Sequence, residues 1–430
     1  MSDKKSINIA KILIGLMILS SSFMVLQIKG ETLFLMVQIL LCGYMIVTSK
    51  KFFIYNKYVA IFVIGELFIS MALAMFGNMP ISYKKTAIYM TLLMTIIFFS
   101  SMYVIHYINS NCIDILFIKK CIKVMSVIQL HWTIIQYLLF TVLGIDLNNL
   151  IFVETLGIIE NASAYKIGNY FMPSGLCWHP AVLVPIVVIS FFIFDSWYMK
   201  LVAVLVSFLC RNTTALICMM LCIAVVVARK AIIIMRKKKI ERIKTLCVIV
   251  VAVIGLLVAY RLGLIEAIFE KLFSIVERVF GLTNDHGSGE AHKRYYTAIM
   301  DVLNISSWPQ ILFGYGMGCS GYPFTILFNQ YVEHASWAVE SDIMDIFYSR
   351  GVMGFVGYYG MLAYIAIKGF KVNYKYTVIT CIIAIGGITY NVQFDWMFMI
   401  NLLLMYFVKK GYDFFDGIKR KDSDIHEEVA

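Results

Sequence analysis

Charged residues are scarce in this sequence. Asp, Glu, Lys and Arg together make up 15% of its 430 residues, whereas hydrophobic residues make up 61%. Soluble domains contain about 25% charged and about 45–50% apolar residues, so the composition excludes an ordinary soluble globular protein. Apolar runs of roughly 20 residues, each long enough to cross a bilayer core of about 30 Å, recur along most of the chain. We therefore predict an all-α polytopic membrane protein in which residues 1–430 form a single membrane-embedded domain.

The sequence also lacks the paired cysteine spacing of disulfide frameworks and zinc sites. Its ten cysteines lie mostly inside apolar runs, which is typical of small core residues. Cys218 and Cys222 share one helix face, but two thiols alone do not make a metal site. One polar stretch contains four residues of types that can bind metals, namely Asp285, His286, Glu290 and His292. The simpler interpretation is that they are ordinary polar residues of a loop. No metal or cofactor is expected.

The placement of the basic residues predicts how the chain crosses the membrane. The net charge of +11 is concentrated in short clusters between apolar runs, which is the orientation signal of a membrane protein rather than a nucleic-acid footprint. A cytoplasmic N-terminus puts the strongest cluster, Arg236–Lys239, on the cytoplasmic side. The pattern predicts about twelve spans, with both termini cytoplasmic. They are expected at residues 7–28, 32–49, 58–77, 86–107, 123–143, 178–194, 198–210, 215–228, 245–260, 352–369, 377–391 and 396–408.

Between these spans the sequence predicts two outer loops and a tail. The smaller loop covers residues 144–176, the large loop covers residues 262–350, and the cytoplasmic tail covers residues 410–430. The large loop begins with an amphipathic pattern from Leu264 to Phe280, which predicts a helix lying along the outer membrane surface. No small-residue cleavage site ends the first apolar run, so we interpret it as a retained span.

Three charged residues that are far apart in the sequence are predicted on the outer face. Arg211 lies between two apolar runs; its planar guanidinium suits a phosphate, and the alternative is a side chain that reaches to lipid headgroups. Glu340 precedes Ser341, a good helix N-cap, and is either an acceptor for a sugar hydroxyl proton or a solvated interfacial acid. Arg294 either binds a second phosphate oxygen or pairs with Glu290.

Weaker candidates lie beside these three. His179 precedes Pro180 and is a base, a donor to substrate, or a hydrogen-bonded interfacial histidine. His334 and Trp337 could stack on a sugar ring, and Lys293 adds a positive charge next to Arg294.

Two ionisable residues lie inside predicted spans. Glu66 and His131 are each either functional or hydrogen-bonded to a neighbouring helix, and the sequence favours neither interpretation.

Four short segments resemble, in this order, segments of the O-antigen polymerase and O-antigen ligase (Wzy and WaaL) superfamily. The resemblance covers roughly residues 160–400. The segments are residues 173–180 (PSGLCWHP), residues 211–214 (RNTT), residues 294–296 (RYY) with residues 312–316 (LFGYG), and Glu340-Ser341 followed nine residues later by residues 351–354 (GVMG). The ligases carry histidine where this chain has Glu340, which favours the polymerase branch.

The resemblance implies a glycosyltransferase of the GT-C type in the bacterial cytoplasmic membrane. It would transfer an oligosaccharide from undecaprenyl pyrophosphate onto another lipid-linked unit at the outer face, by an inverting, metal-independent reaction. Arg211 and Arg294 would stabilise the pyrophosphate leaving group, and Glu340 would deprotonate or orient the acceptor hydroxyl. Aromatic side chains would contact the sugar rings, namely Tyr170, Trp178 and Trp337. A flippase and a chain-length regulator are the expected partners.

Two other functions are weighed against the polymerase. A ligase would move the glycan to a different acceptor, and Glu340 is the feature against it. A transporter of lipid-linked sugars should carry charges at the membrane midplane and paired broken helices, whereas the polarity here collects in one outer loop.

Overall fold

The structure is a computed structural model of the chain. It describes residues 2–28, 31–48, 57–110, 112–159, 166–167, 170–177, 179–210, 212–235, 295–328, 339, 341–389, 395–416 and 418–419. The chain divides into two compact units, one formed by Met1–Met219 with Met300–Ala430 and the other by Met220–Ile299. The described contacts of the candidate site lie in the first unit, whereas the predicted site residues Lys293 and Arg294 belong to the second.

The described residues up to 235 form eight α-helices. They are α1 (Ser2–Ser20), α2 (Leu33–Thr48), α3 (Lys57–Phe76), α4 (Ile81–Asn109), α5 (Ile115–Leu143), α6 (Val184–Ile193), α7 (Trp197–Leu209) and α8 (Thr213–Met235). A π-helical segment (Asn149–Thr155) follows α5, and a 3₁₀ turn (Pro180–Leu183) leads into α6.

Six further α-helices lie in the described residues from 295 onward. They are α9 (Ile299–Ile305), α10 (Trp308–Phe313), α11 (Tyr322–Phe328), α12 (Asp342–Val372), α13 (Tyr374–Thr389) and α14 (Asp395–Lys409). Three antiparallel hairpins of two-residue strands pair β1 (Gln27–Ile28) with β2 (Glu31–Thr32), β3 (Lys166–Ile167) with β4 (Tyr170–Phe171), and β5 (Tyr412–Asp413) with β6 (Ile418–Lys419).

Five of the described helices are long and apolar enough to cross a membrane, namely α3, α4, α5, α8 and α12. Six shorter apolar helical segments coincide with further predicted spans. The predicted span at residues 245–260 and the amphipathic segment from Leu264 to Phe280 lie outside the described residues. The protein is therefore a helical chain with several membrane-crossing candidates, and the count of about twelve spans stays a prediction.

The first predicted span is too long, because α1 ends at Ser20 rather than near Ile28. The hydroxyl of Ser20 donates to the Met17 carbonyl at 3.2 Å, and that of Ser21 donates to the Ile18 carbonyl at 2.7 Å. Serine hydroxyls that bond to the preceding turn compete with the helical amide bonds and favour a helix end. Three consecutive serines, Ser20 to Ser22, thus end the helix inside an apolar run.

The start of the predicted tail is packed rather than extended away from the helices. Phe414 and Phe415 are buried, and the ring of Phe414 stacks on Phe407 of α14. The Lys119 ammonium of α5 donates to the Phe415 carbonyl. Residues 417 and 420–430 lie outside the described residues.

Candidate functional site

Helix α12 is broken at Gly351, which has φ 65° and ψ −165° inside an otherwise helical stretch. A break of this kind frees backbone carbonyls from their helical partners. The segment after α10 takes their place: the Tyr315 amide donates to the Tyr348 carbonyl and the Gly316 amide donates to the Ser349 carbonyl, both at 2.9 Å. The hydroxyl of Ser70 on α3 also donates to the Ser349 carbonyl, at 3.0 Å. Two carbonyls at the break, those of Tyr348 and Ser349, therefore have hydrogen-bond partners outside the helix.

Glycines allow the backbone of the LFGYG segment to contact the backbone of α12 at this break. A Cβ added to Gly314 (φ 76°) would lie 2.3 Å from the amide nitrogen of Arg350, and one added to Gly351 would lie 2.5 Å from the carbonyl carbon of Leu312. Both residues adopt the left-handed conformation that side chains disfavour. The LFGYG segment and the first glycine of GVMG, which the sequence presents as separate features, thus form one structural unit.

A buried ion pair lies beside the break. The Nε of Arg350 donates to both carboxylate oxygens of Glu66 on α3, at 2.9 and 3.1 Å, and Nη2 donates to Oε2. The two side chains are only 6% and 2% exposed. The second glycine of GVMG makes room for the pair, since a Cβ on Gly354 would lie 2.2 Å from the Arg350 Cβ and 3.1 Å from Glu66 Oε1. Of the two interpretations of Glu66, the structure favours contact with a neighbouring helix.

The residues that flank Glu340 in the sequence are hydrogen-bonded to the elements around the start of α12. The Val339 amide donates to the Ser320 hydroxyl at 3.1 Å, and that hydroxyl donates to the carboxylate of Asp345 in the first turn of α12. Ser341 occupies the N-cap position of α12, as predicted, with extended backbone angles of φ −158° and ψ 122°. Its hydroxyl donates to the Gly387 carbonyl of α13 at 3.3 Å.

An apolar cavity of about 430 Å³ lies between α3, α12 and α14. Its walls include Phe62, Met361 and Phe398, and its polar lining consists of Arg350 and two tyrosines, one of which is Tyr358. The Tyr358 hydroxyl accepts a hydrogen bond from Asn401 Nδ2 at 3.3 Å. Arg350 of the ion pair therefore borders a mainly apolar cavity.

A second cluster holds the PSGLCWHP segment. On α5, Gln136 Oε1 accepts from the amides of Ser174 and Gly175 at 3.2 and 3.0 Å, and Gln129 Oε1 accepts from the Leu176 amide at 3.0 Å. Asn148, which directly precedes the π-helical segment, donates from Nδ2 to the Gly175 carbonyl at 2.8 Å. The two glutamines are seven residues apart and share a helix face. This polar face was missed in the sequence, where it is visible as two glutamines in an apolar span.

His179 lies near the end of this segment and caps the 3₁₀ turn that follows it. Its Nδ1 accepts from the Ala181 amide at 3.1 Å, at the N-terminus of the 3₁₀ turn. Of the three interpretations of His179, the hydrogen-bonded structural histidine fits this geometry.

His131 also makes contact with a neighbouring helix. Its Nδ1 lies 2.8 Å from the Val127 carbonyl on its own helix, α5, and its Nε2 lies 3.5 Å from the Tyr198 hydroxyl on α7. A helix-to-helix contact accounts for its place in an apolar span.

Most of the predicted site residues lie outside the described residues. These are the three proposed catalytic residues Arg211, Arg294 and Glu340, together with Lys293, His334, Trp337 and Trp178. The backbone of Tyr170 is described in β4, where it pairs with Ile167. Their roles, and whether they meet in one pocket, stay predictions.

The chain was also compared with known proteins. It matches no protein-family model, and it matches no curated protein at a significant level.

Proposed function

We propose that the protein is a polymerase of polysaccharide repeat units. It would transfer an oligosaccharide linked to undecaprenyl pyrophosphate onto another lipid-linked unit, at the outer face of the bacterial cytoplasmic membrane. The observation that carries the proposal is the backbone contact between the LFGYG segment and the Gly351 break. Short segments that resemble a family by chance have no reason to be adjacent in space, so this contact supports a shared role for them.

The proposed mechanism assigns charged residues to the two reacting groups, the pyrophosphate leaving group and the acceptor hydroxyl. Arg211 and Arg294 stabilise the pyrophosphate as its charge develops in the transition state. Glu340 deprotonates or orients the acceptor hydroxyl. Precise sites are usually supported by hydrogen-bonded neighbours, and the bonds of Val339 and Ser341, which flank Glu340 in the sequence, fit that requirement. This arrangement needs about twelve spans with both termini cytoplasmic.

A ligase that moves the glycan to a different acceptor is the nearest alternative. It would use the same lipid-linked donor and the same arginines. The glutamate at position 340, where the ligases carry histidine, favours polymerisation.

A transporter of lipid-linked sugars is a second candidate, because α12 is discontinuous and carries a buried charge pair. In transporters with discontinuous helices, the unwound backbone lines the substrate site. Here the carbonyls of Tyr348 and Ser349 are occupied by the amides of Tyr315 and Gly316. That occupation favours the polymerase over the transporter.

The test uses the purified full chain in liposomes with a lipid-linked repeat unit. We expect a ladder of longer lipid-linked glycans, and we expect Arg211→Ala and Glu340→Gln each to abolish it without loss of membrane insertion. Lys85→Ala and Asp301→Asn, which remove an exposed cation and an exposed acid, are matched controls and should keep the ladder.

Three results would contradict parts of this proposal. Glycan transport into the vesicles without a ladder would replace the polymerase by the transporter. Transfer to an acceptor other than a lipid-linked repeat unit would favour the ligase. A ladder of normal length from Glu340→Gln would remove Glu340 from the mechanism.

A further inference from the structure

We infer that the cavity between α3, α12 and α14 binds one acyl chain of an anionic phospholipid from the surrounding bilayer. The inference goes beyond the proposed function and does not depend on it. It rests on four properties of the cavity, namely its apolar walls, its fixed shape, its length along the helices and the cation at its exposed end.

The cavity is too large for an ordinary packing void and too apolar to be filled by water. Its volume is about 430 Å³, whereas protein interiors contain few voids larger than a water molecule. A buried water needs about two to four polar partners, and an engineered apolar cavity of about 150 Å³ stays dry and binds small apolar molecules. In the lining, the Arg350 guanidinium already donates to Glu66. The Tyr358 hydroxyl already accepts from Asn401. An apolar occupant therefore suits the cavity best.

The walls of the cavity are fixed by contacts between the three helices. The Glu66–Arg350 ion pair joins α3 to α12, and the hydrogen bond from Asn401 joins α14 to α12. The ring of Phe62 packs on the backbone of α12 at Gly357, where an added Cβ would lie 2.4 Å from Phe62 Cε1. Because these contacts set the spacing of the helices, small movements of the wall side chains do not close the space between them.

The length of the cavity fits one leaflet of a bilayer. Two of its three helices, α3 and α12, are long and apolar enough to cross a membrane. Along α3 the lining begins at Tyr58, and Glu66 marks the level of the ion pair at the other end. These two residues are separated by about 12 Å, at a rise of about 1.5 Å per residue. One leaflet contributes about 15 Å to a hydrocarbon core of about 30 Å, so the cavity accepts a chain from one leaflet.

The exposed end of the cavity carries a cation. Tyr58 is 73% exposed, and Phe62 and Met361 are only partly buried, so the cavity is accessible from the protein surface. The Lys57 ammonium lies 5.2 Å from the centroid of the Tyr58 ring. Tyrosine is enriched at the boundary between hydrocarbon and headgroups, and a lysine at that boundary attracts anionic headgroups. A phosphate at Lys57 with one acyl chain in the cavity fits this arrangement.

The place of the cavity along α3 favours a bilayer lipid over the lipid-linked donor. The LFGYG segment, whose contact with α12 carries the proposed function, meets the opposite end of α3: a Cβ added to Gly316 would lie 2.8 Å from Ala74 Cβ. The part of α3 that lines the cavity is instead confined to residues 58–63. Lys57 thus lies at the end of α3 that is remote from the proposed reaction, where a phospholipid headgroup fits and the reacting pyrophosphate does not.

The experiment uses the purified full chain in liposomes that contain phosphatidylglycerol with a photoreactive diazirine in one acyl chain. After irradiation, the labelled peptides are mapped by mass spectrometry, and we expect the label on the lining residues of α3, α12 and α14. In Met361→Trp, whose ring fills the cavity, this labelling should fall on the order of tenfold, which corresponds to lost contact with about two methylene groups. The matched control is Val356→Trp, which adds the same ring at a position of α12 that is 57% exposed and should leave the labelling unchanged. Met405→Trp fills the cavity from α14 and replaces Met361→Trp if that variant does not fold.

The preference for an anionic headgroup is measured by competition. Unlabelled phosphatidylglycerol should displace the probe better than phosphatidylcholine does. Lys57→Gln should reduce this preference about fivefold, the effect of one lysine near an anionic surface. Lys85→Gln, which removes an exposed lysine on α4, is the control and should keep the preference.

Four results would overturn the inference or part of it. Equal labelling of the lining in Met361→Trp and Val356→Trp would show that the chain does not enter the cavity, and so would labelling spread evenly over the exposed apolar residues. Competition by a polyprenyl phosphate but not by phosphatidylglycerol would identify the chain of the donor as the occupant. An unchanged headgroup preference in Lys57→Gln would remove Lys57 from the site. The labelling is compared per monodisperse folded protein and needs no glycan transfer, so a missing ladder would refute the proposed function and leave this inference standing.

Discussion

Removing either member of the Glu66–Arg350 pair should be strongly destabilising. In Glu66→Met, the guanidinium of Arg350 would lose the carboxylate that now accepts from its Nε and Nη2, in a position where its side chain is only 6% exposed. Breaking a buried pair by removing one partner costs about 3–5 kcal/mol, a large fraction of the roughly 5–15 kcal/mol that stabilises a typical domain. We expect a loss of that size for Glu66→Met and for Arg350→Met.

The double variant distinguishes the charge effect from a loss of packing. With both residues replaced by methionine, no unpaired charge remains, and buried pairs replaced by apolar residues are often neutral or more stable. The double variant should therefore be more stable than either single variant. The assay is unfolding of the purified protein by SDS in detergent micelles, followed by tryptophan fluorescence, which gives the free energy of unfolding and the coupling between the two sites.

An exposed ion pair provides the control. Lys123 and Asp195 lie 3.5 Å apart, with side chains 29% and 79% exposed. Exposed pairs contribute about 0–1 kcal/mol, so Asp195→Asn should change stability little. If Glu66→Met costs no more than Asp195→Asn, or if the double variant is as unstable as the sum of the single variants, the reasoning from burial is refuted.

Two further predictions concern the glycine contact and the capping histidine. Gly314→Ala would place a methyl group 2.3 Å from the Arg350 amide nitrogen at φ 76°, so the monodisperse yield of this variant in size-exclusion chromatography should fall sharply. The control is Gly360→Ala, whose methyl group would meet nothing within 4 Å and whose yield should match the wild type. Equal yields for the two variants would contradict the contact. Because the Nδ1 of His179 accepts from the Ala181 amide at the start of the 3₁₀ turn, His179→Ala, which removes this acceptor, should lower the free energy of unfolding by about 1 kcal/mol. His179→Asn keeps a good N-cap acceptor and should retain most of that stability; equal losses of unfolding free energy in SDS for both variants would contradict the capping contact.

Local sequence patterns predicted most of the described helices because each is encoded by its own apolar run. The predicted span at 58–77 corresponds to α3, and that at 396–408 corresponds to α14. The predicted N-cap at Ser341 agrees with the start of α12 at Asp342, but the apolar pattern placed its membrane span only from about residue 352. Residues 342–350 contain two aspartates, a serine and an arginine, which is typical of a loop. In the fold, three of these side chains find partners in Glu66, Ser320 and the preceding turn, and such distant partners cannot be identified from local sequence.

The candidate site was predictable in part. The LFGYG and GVMG segments were singled out for their resemblance to polymerases and ligases, but nothing in the local sequence indicates that the two segments contact each other. Arg350 was missed because it stands at the edge of an apolar run, where an arginine is usually assigned to the loop. Glu66 was noticed inside a span, but its partner lies 284 positions away in the sequence.

The two described clusters are stabilised in the same way. In each, irregular backbone next to apolar helices has its amides or carbonyls satisfied by a neighbouring element: Gln129 and Gln136 hold Ser174 to Leu176, and the amides of Tyr315 and Gly316 occupy the broken turn of α12. Unpaired backbone groups in a membrane cost several kcal/mol each, and an uninterrupted helix would avoid the need for partners altogether. Both irregular segments lie in stretches of the sequence that resemble glycan polymerases and ligases, so the proposed reaction is best tested by substitutions beside Gln136 and Gly351.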